Sequence, residues 1–157
     1  MHKSFVVHPQ YATKAALAGC AAQKQGKFWE MEAAIWAAVW DAETLEPKDP
    51  SYLETEGLLE LAGKLKLDTK KFTADMDGSE CQGQIDDDRS QLARVGARGT
   101  PTFYINGRYL SGAVPLSEFK QVIDEELAKA DSAIKTGIKP DRYYDTIVAN
   151  GVKEFEP

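Results

Sequence analysis

Sixteen residues constrain this chain more than any others: Val95-Gly96-Ala97-Arg98-Gly99-Thr100-Pro101-Thr102-Phe103-Tyr104-Ile105-Asn106-Gly107-Arg108-Tyr109-Leu110. Within them lie a helix stop, a Thr-Pro step, a short apolar run, an Asn-Gly pair and a second β-favouring run. A two-residue type I′ turn needs φ > 0 at both central positions, which is why Asn-Gly between β-rich runs predicts a tight hairpin. Proline has no N–H to give to a ladder, so Pro101 belongs at the mouth of the first strand or on an edge. Gly96 is placed to end the preceding helix in the left-handed conformation.

The rest of the chain is mainly helical in pattern. Ser4–Val7 is β-rich and closes at His8-Pro9, and an alanine-rich helix is expected from Ala12 to Gln23. Phe28, Met31, Ile35 and Val39 recur at helical spacing, beside a second stripe of Trp29, Trp36 and Trp40. The whole face reads as core packing, or in part as a groove for apolar peptide. Ala42–Pro50 reads as a loop, followed by a helix carrying Leu53, Leu58, Leu59, Leu61 and Leu65. Asp68 or Thr69 can cap a short helix with Phe72 and Met76, and Ser79 opens another running to Val95. On that helix Asp86, Asp87 and Asp88 read as a solvated face, because three consecutive residues point in three directions. After the hairpin, Ser117 is expected to cap a helix with Phe119, Val122, Ile123 and Leu127 on one side. The final stretch, about 133–157, reads as a helical appendage in which Pro140 occupies a first helical position.

Composition excludes several classes. A net charge of −6 leaves no basic footprint for nucleic acid, and no apolar run approaches the roughly 20 residues of a membrane span. No phosphate-binding glycine pattern is present. His2, His8, Cys20 and Cys81 lack zinc-ligand spacing, so no metal is expected. The two cysteines allow three readings: two inert thiols, a structural Cys20–Cys81 bridge, or a redox role for Cys81 in the first turn of its helix.

The segment Gly99-Thr100-Pro101-Thr102-Phe103-Tyr104-Ile105-Asn106-Gly107-Arg108-Tyr109-Leu110-Ser111-Gly112-Ala113 resembles the cis-proline loop and hairpin of DsbA-like thiol–disulfide oxidoreductases. Phe5-Val6-Val7-His8-Pro9 resembles that family's second strand and its exit. Ala15-Ala16-Leu17-Ala18, followed by Gln25-Gly26-Lys27-Phe28-Trp29-Glu30-Met31, resembles the start of its inserted helices. The resemblance implies an α/β thioredoxin-like fold in one domain over residues 1–157, with a helical insertion at about 27–95. It also implies a thiol–disulfide exchange activity and an extended peptide or unfolded protein as substrate, held by Gly99, Thr100 and Pro101. No cofactor is implied.

One departure limits the transfer. The family's chemistry lies in a Cys-x-x-Cys at the start of its first helix, and neither Cys20 nor Cys81 is in such a motif. The fold is therefore expected to be N-terminally incomplete, with the catalytic residues outside this chain. The first strand, missing on this alignment, would leave a sheet edge to be completed by a dimer or a strand-donating partner. Residues 1–12 show no signal peptide. The resemblance places the parent protein outside the cytoplasm, in a periplasm-like compartment, with its start upstream.

Overall fold

Small side chains set the geometry of the first half. In the computed structural model, which describes residues 2–44 and 46–149, the alanine-rich run forms helix α1 (Pro9–Gln23). Its buried face is Ala18, Gly19, Cys20, Ala21 and Ala22. With little bulk there, α1 lies close against α4 (Thr69–Asp77) and α2 (Phe28–Val39), and the Phe28 ring sits where a Cβ on Gly19 would be 3.1 Å away. Helix α3 (Thr55–Lys64) completes the cluster. The core joins these alanines to Met31, Leu58, Leu61, Ala62, Leu67, Phe72 and Met76. Each large side chain fully buried in this way, such as Leu58 or Phe72, contributes roughly 1.5–3 kcal/mol. Helix α5 (Ser79–Arg94) follows.

The chain divides into two compact units at about Gln91. The second holds strands β1 (Thr102–Ile105) and β2 (Arg108–Ser111), helix α6 (Leu116–Lys135) and the short helix α7 (Tyr143–Val148). The hairpin turn is as the sequence predicts, with φ +49° at Asn106 and +85° at Gly107. The strands pair antiparallel, Ile105 opposite Arg108 and Phe103 opposite Leu110. Phe103 meets Phe119 of α6 edge to face at 4.9 Å, and Arg108 bonds Glu125 of α6 at 2.5 Å. One face of the ribbon thus packs on α6. Tyr104 and Tyr109, ring centres 5.6 Å apart, form the other, and Phe103, Tyr104 and Tyr109 all remain partly open to solvent.

Four helices end in the same way. After α1, α3, α5 and α6 the chain makes a paired 6→1 and 5→2 hydrogen-bond closure, as in Lys27 N–H to Ala22 O with Gly26 N–H to Gln23 O. Gly26, Gly96 and Gly137 supply the left-handed residue at three of these ends; Lys66, at φ +58°, supplies it at the fourth.

The structure departs from the sequence expectations in five places, one being that Leu53 lies in a separate short 3-10 turn, Pro50–Leu53, ahead of α3. Ser4–Val7 is not a strand, with a bend at Val7, because a strand needs a ladder partner and the two-stranded β1–β2 sheet is the one formed among the described residues. Helix α6 starts at Leu116 with Pro115 before it, so Ser117 lies inside the first turn and not at the cap. Asp86 and Asp87 are solvated, but Asp88 is buried, taking the Ser4 N–H at 2.9 Å and the Lys3 ammonium at 2.7 Å. The tryptophan stripe separates from the core: Met31 and Val39 are buried, whereas Trp29 and Trp36 are 65% and 57% exposed. Asp68 does cap α4, accepting the Lys71 N–H.

Two substitutions test this packing. A Cβ on Gly57 would lie 2.5 Å from Tyr52 Cα and 2.7 Å from Ser51 O. Gly57→Ala should therefore lower stability by about 1–3 kcal/mol in urea unfolding, against the roughly 1 kcal/mol gain usual for a helical Gly→Ala. Lys66→Gly should raise it by about 0.5–1 kcal/mol, since glycine relieves the left-handed strain at the cost of some unfolded-chain freedom. A loss at Lys66 would show that the left-handed cap costs nothing there.

Candidate functional site

Two places carry the residues singled out by sequence, one in each unit. In the first, Cys20 of α1 and Cys81 of α5 are joined as a disulfide, with Cα atoms 5.7 Å apart and a sequence separation of 61. Of the three readings open from sequence, the structural bridge is the one formed. Cys81 is 0% exposed and Cys20 is 7% exposed. A cross-link closing a loop of that length stabilises by about 4 kcal/mol on a chain-entropy reckoning. Around it, Lys24 lies 2.7 Å from both Asp75 and Glu80. Asp75 is held below the usual carboxylate range by Lys24 first and Lys71 second.

In the second unit, α5 ends at the Gly96 closure and the chain enters the loop Gly99-Thr100-Pro101, with a cis peptide between Thr100 and Pro101. Thr102 Oγ1 donates to the Gly99 carbonyl at 2.7 Å, and the Pro101 carbonyl accepts the Gly112 N–H at 2.8 Å. Among the described residues, the backbone N–H and C=O of Thr100 meet no hydrogen-bond partner, and Thr100 and Pro101 are exposed. Thr100 is thus the residue of the three with both backbone groups open.

The register of the hairpin extends this open edge. The residues flanking a two-residue turn exchange both of their hydrogen bonds, and such pairs then recur at every second position. Ile105–Arg108 and Phe103–Leu110 are these inner pairs, and the Gly112–Pro101 bond continues them. The N–H and C=O groups of Thr102 and Tyr104 therefore point away from β2. Neither residue was singled out from sequence as a binding residue, although counting back from Asn106-Gly107 identifies both. The Tyr104 hydroxyl donates to the Val95 carbonyl at 2.8 Å; burial first, and Tyr109 second, push it above its usual pKa. Arg108 is raised by Glu125 first, with Glu126 contributing.

This chemistry is of two kinds: a buried disulfide, and an exposed row of backbone donors and acceptors. Alkylation of the denatured, unreduced protein should label neither cysteine, and after reduction should label both. Labelling before reduction would remove the bridge.

Among the described residues no helix is long and apolar enough to cross a membrane. In comparison with known proteins, the Na(+)/H(+) antiporter NhaA 3 of Salinispora tropica is 33% identical over 135 residues, which are 86% of this chain and 19% of that protein. The Na(+)/H(+) antiporter NhaA of Herminiimonas arsenicoxydans is 31% identical over 106 residues, 68% of this chain and 15% of that protein. The NhaA 1 antiporter of Salinispora arenicola is 31% identical over 136 residues, 87% of this chain and 19% of that protein. The chain thus spans less than a fifth of the length of these relatives. A family described as DSBA-like thioredoxin domain matches residues 4–124. With most of its length inside that match, the chain belongs to the DSBA-like thioredoxin domain family.

Proposed function

We propose that this chain is the substrate-holding body of a protein thiol–disulfide oxidoreductase whose catalytic Cys-x-x-Cys lies outside these 157 residues. The observation that carries the reading is the open backbone at Thr100, in the loop Gly99-Thr100-Pro101, within a chain that matches the DSBA-like family over residues 4–124. In this reading the loop offers main-chain hydrogen bonds to an extended peptide or unfolded protein, as in recognition by strand addition. A cysteine outside the chain carries the exchange through a mixed disulfide. The outer edge of β1, at Thr102 and Tyr104, takes a strand from another segment or a second copy, which completes the sheet.

Two further observations support it. The only two cysteines are joined to each other in one bridge, which leaves no free thiol in the chain to start an exchange, so the attacking cysteine has to come from elsewhere. A structural disulfide also suits a protein working in an oxidising compartment, in keeping with a periplasm-like location. The similar segment in proteins named Na(+)/H(+) antiporters occupies 15–19% of their length, which suits a module that can be joined to a longer polypeptide.

The alternative is a peptide-binding module without redox activity, and the absence of any Cys-x-x-Cys in the chain favours it. The 157-residue chain alone should fail to reduce insulin or to reoxidise a reduced model protein under either reading. The polypeptide isolated from its native source separates them, because it should catalyse reoxidation under the first and not under the second. Thr100→Pro, which removes the open N–H, should weaken binding of an extended peptide roughly tenfold. An unchanged affinity would take the loop out of the site.

A further inference from the structure

Helix α5 has the least packing of its own in the first unit. Its buried residues are Cys81, Ile85 and Asp88, a single narrow stripe at helical spacing. The hydrophobic core draws on α1, α2, α3 and α4 together with Leu67, and contains no residue of α5. Asp88 is occupied by Lys3 and the Ser4 N–H of the N-terminal segment, not by a neighbouring helix. Glu80 reaches Lys24, but its side chain is 78% exposed, and ion pairs at that exposure hold little. That leaves Ile85 and the Cys20–Cys81 bond.

From this we infer that the bridge is a redox-operated clamp. Oxidised, it fixes α5 to α1; reduced, it releases α5 while the α1–α4 core persists. Because α5 runs on into the second unit, the clamp governs the one stretch of backbone that leads from residues 1–91 to residues 92–157.

The reductant is a dithiol. Its thiolate attacks Sγ of Cys20, since Cys81 is fully buried and Cys20 retains some exposure. A bond forms between the incoming sulfur and Cys20, and the Cys20–Cys81 bond breaks, expelling Cys81 as a thiolate that takes up a proton. The second thiol of the reductant, as its thiolate, then attacks its own partner sulfur in the mixed disulfide, expelling Cys20 as a thiolate that is protonated in turn. Two electrons have passed from the dithiol, now a disulfide, to the protein. The reverse sequence, with a disulfide oxidant, closes the clamp.

Hydrogen exchange with peptide-level mass analysis tests this on the full chain, oxidised, reduced with dithiothreitol, and as Cys20→Ala/Cys81→Ala. The expected result is exchange at least about tenfold faster across Ser79–Arg94 in the reduced protein and in the double variant. Segments holding Met31, Leu58 and Phe72 should keep protection well above that left in α5, although losing the cross-link's constraint on the unfolded chain speeds their exchange too. Unchanged exchange in α5 would show that packing holds the helix without the bond. Loss of protection in α1–α4 down to the level of α5 would show a global staple instead. Limited treatment with glutathione should place the first adduct on Cys20, and an adduct on Cys81 would overturn the order of attack.

Discussion

The turn at Asn106-Gly107 decides what the second unit can offer another chain. Because two residues with positive φ close the hairpin, Ile105 and Arg108 must form an inner hydrogen-bonded pair. Every second residue of β1 is then committed to β2, and Thr102 and Tyr104 are left facing outward. A hairpin alone is marginal in water, so the packing of Phe103 on Phe119 and the Arg108–Glu125 contact are what make this parity persist. The same two contacts consume one face of the ribbon. What remains is an open edge, an aromatic face at Tyr104 and Tyr109, and a Thr100 backbone without a partner among the described residues.

The first unit answers a different physical problem. Helix α1 has excellent helix propensity but little side-chain area on its buried face, and it gains its place through close approach to α2 and α4. Helix α5 stands outside that core and is tied by sulfur. The two cysteines thereby hold α5 to α1, and under the proposed function the backbone edge of β1 and the Thr100 loop are where the chain meets a peptide.

How much of this was legible in the sequence depended on range. The hairpin turn at Asn106-Gly107 was read correctly, since its turn chemistry is local. The short helix carrying Phe72 and Met76 was also legible, with Asp68 or Thr69 as its cap; the structure uses Asp68 and buries both side chains. Ser4–Val7 was misread as a strand because propensity describes a segment and a ladder requires two. Asp88 looked like its neighbours Asp86 and Asp87; its burial follows from where the N-terminal segment lies, which no local pattern encodes. The pairing of Cys20 with Cys81 could be entertained but not chosen, since the proximity of two cysteines far apart in the chain is a tertiary fact. The tryptophans merged with the core stripe in the helical pattern, and only the fold showed that α1, α3 and the short turn Pro50–Leu53 cover one side of α2.

The outward parity of β1 and its use by an extended chain carry the proposed function. The direct measurement is residue-resolved amide exchange by NMR, with and without an unfolded-protein peptide. The free protein should show fast exchange at Thr100, Thr102 and Tyr104 beside slow exchange at Phe103 and Ile105, with Thr100 slowing when peptide is added. Protection at Thr102 and Tyr104 in the free, monomeric protein, or no change at Thr100 with peptide bound, would contradict it.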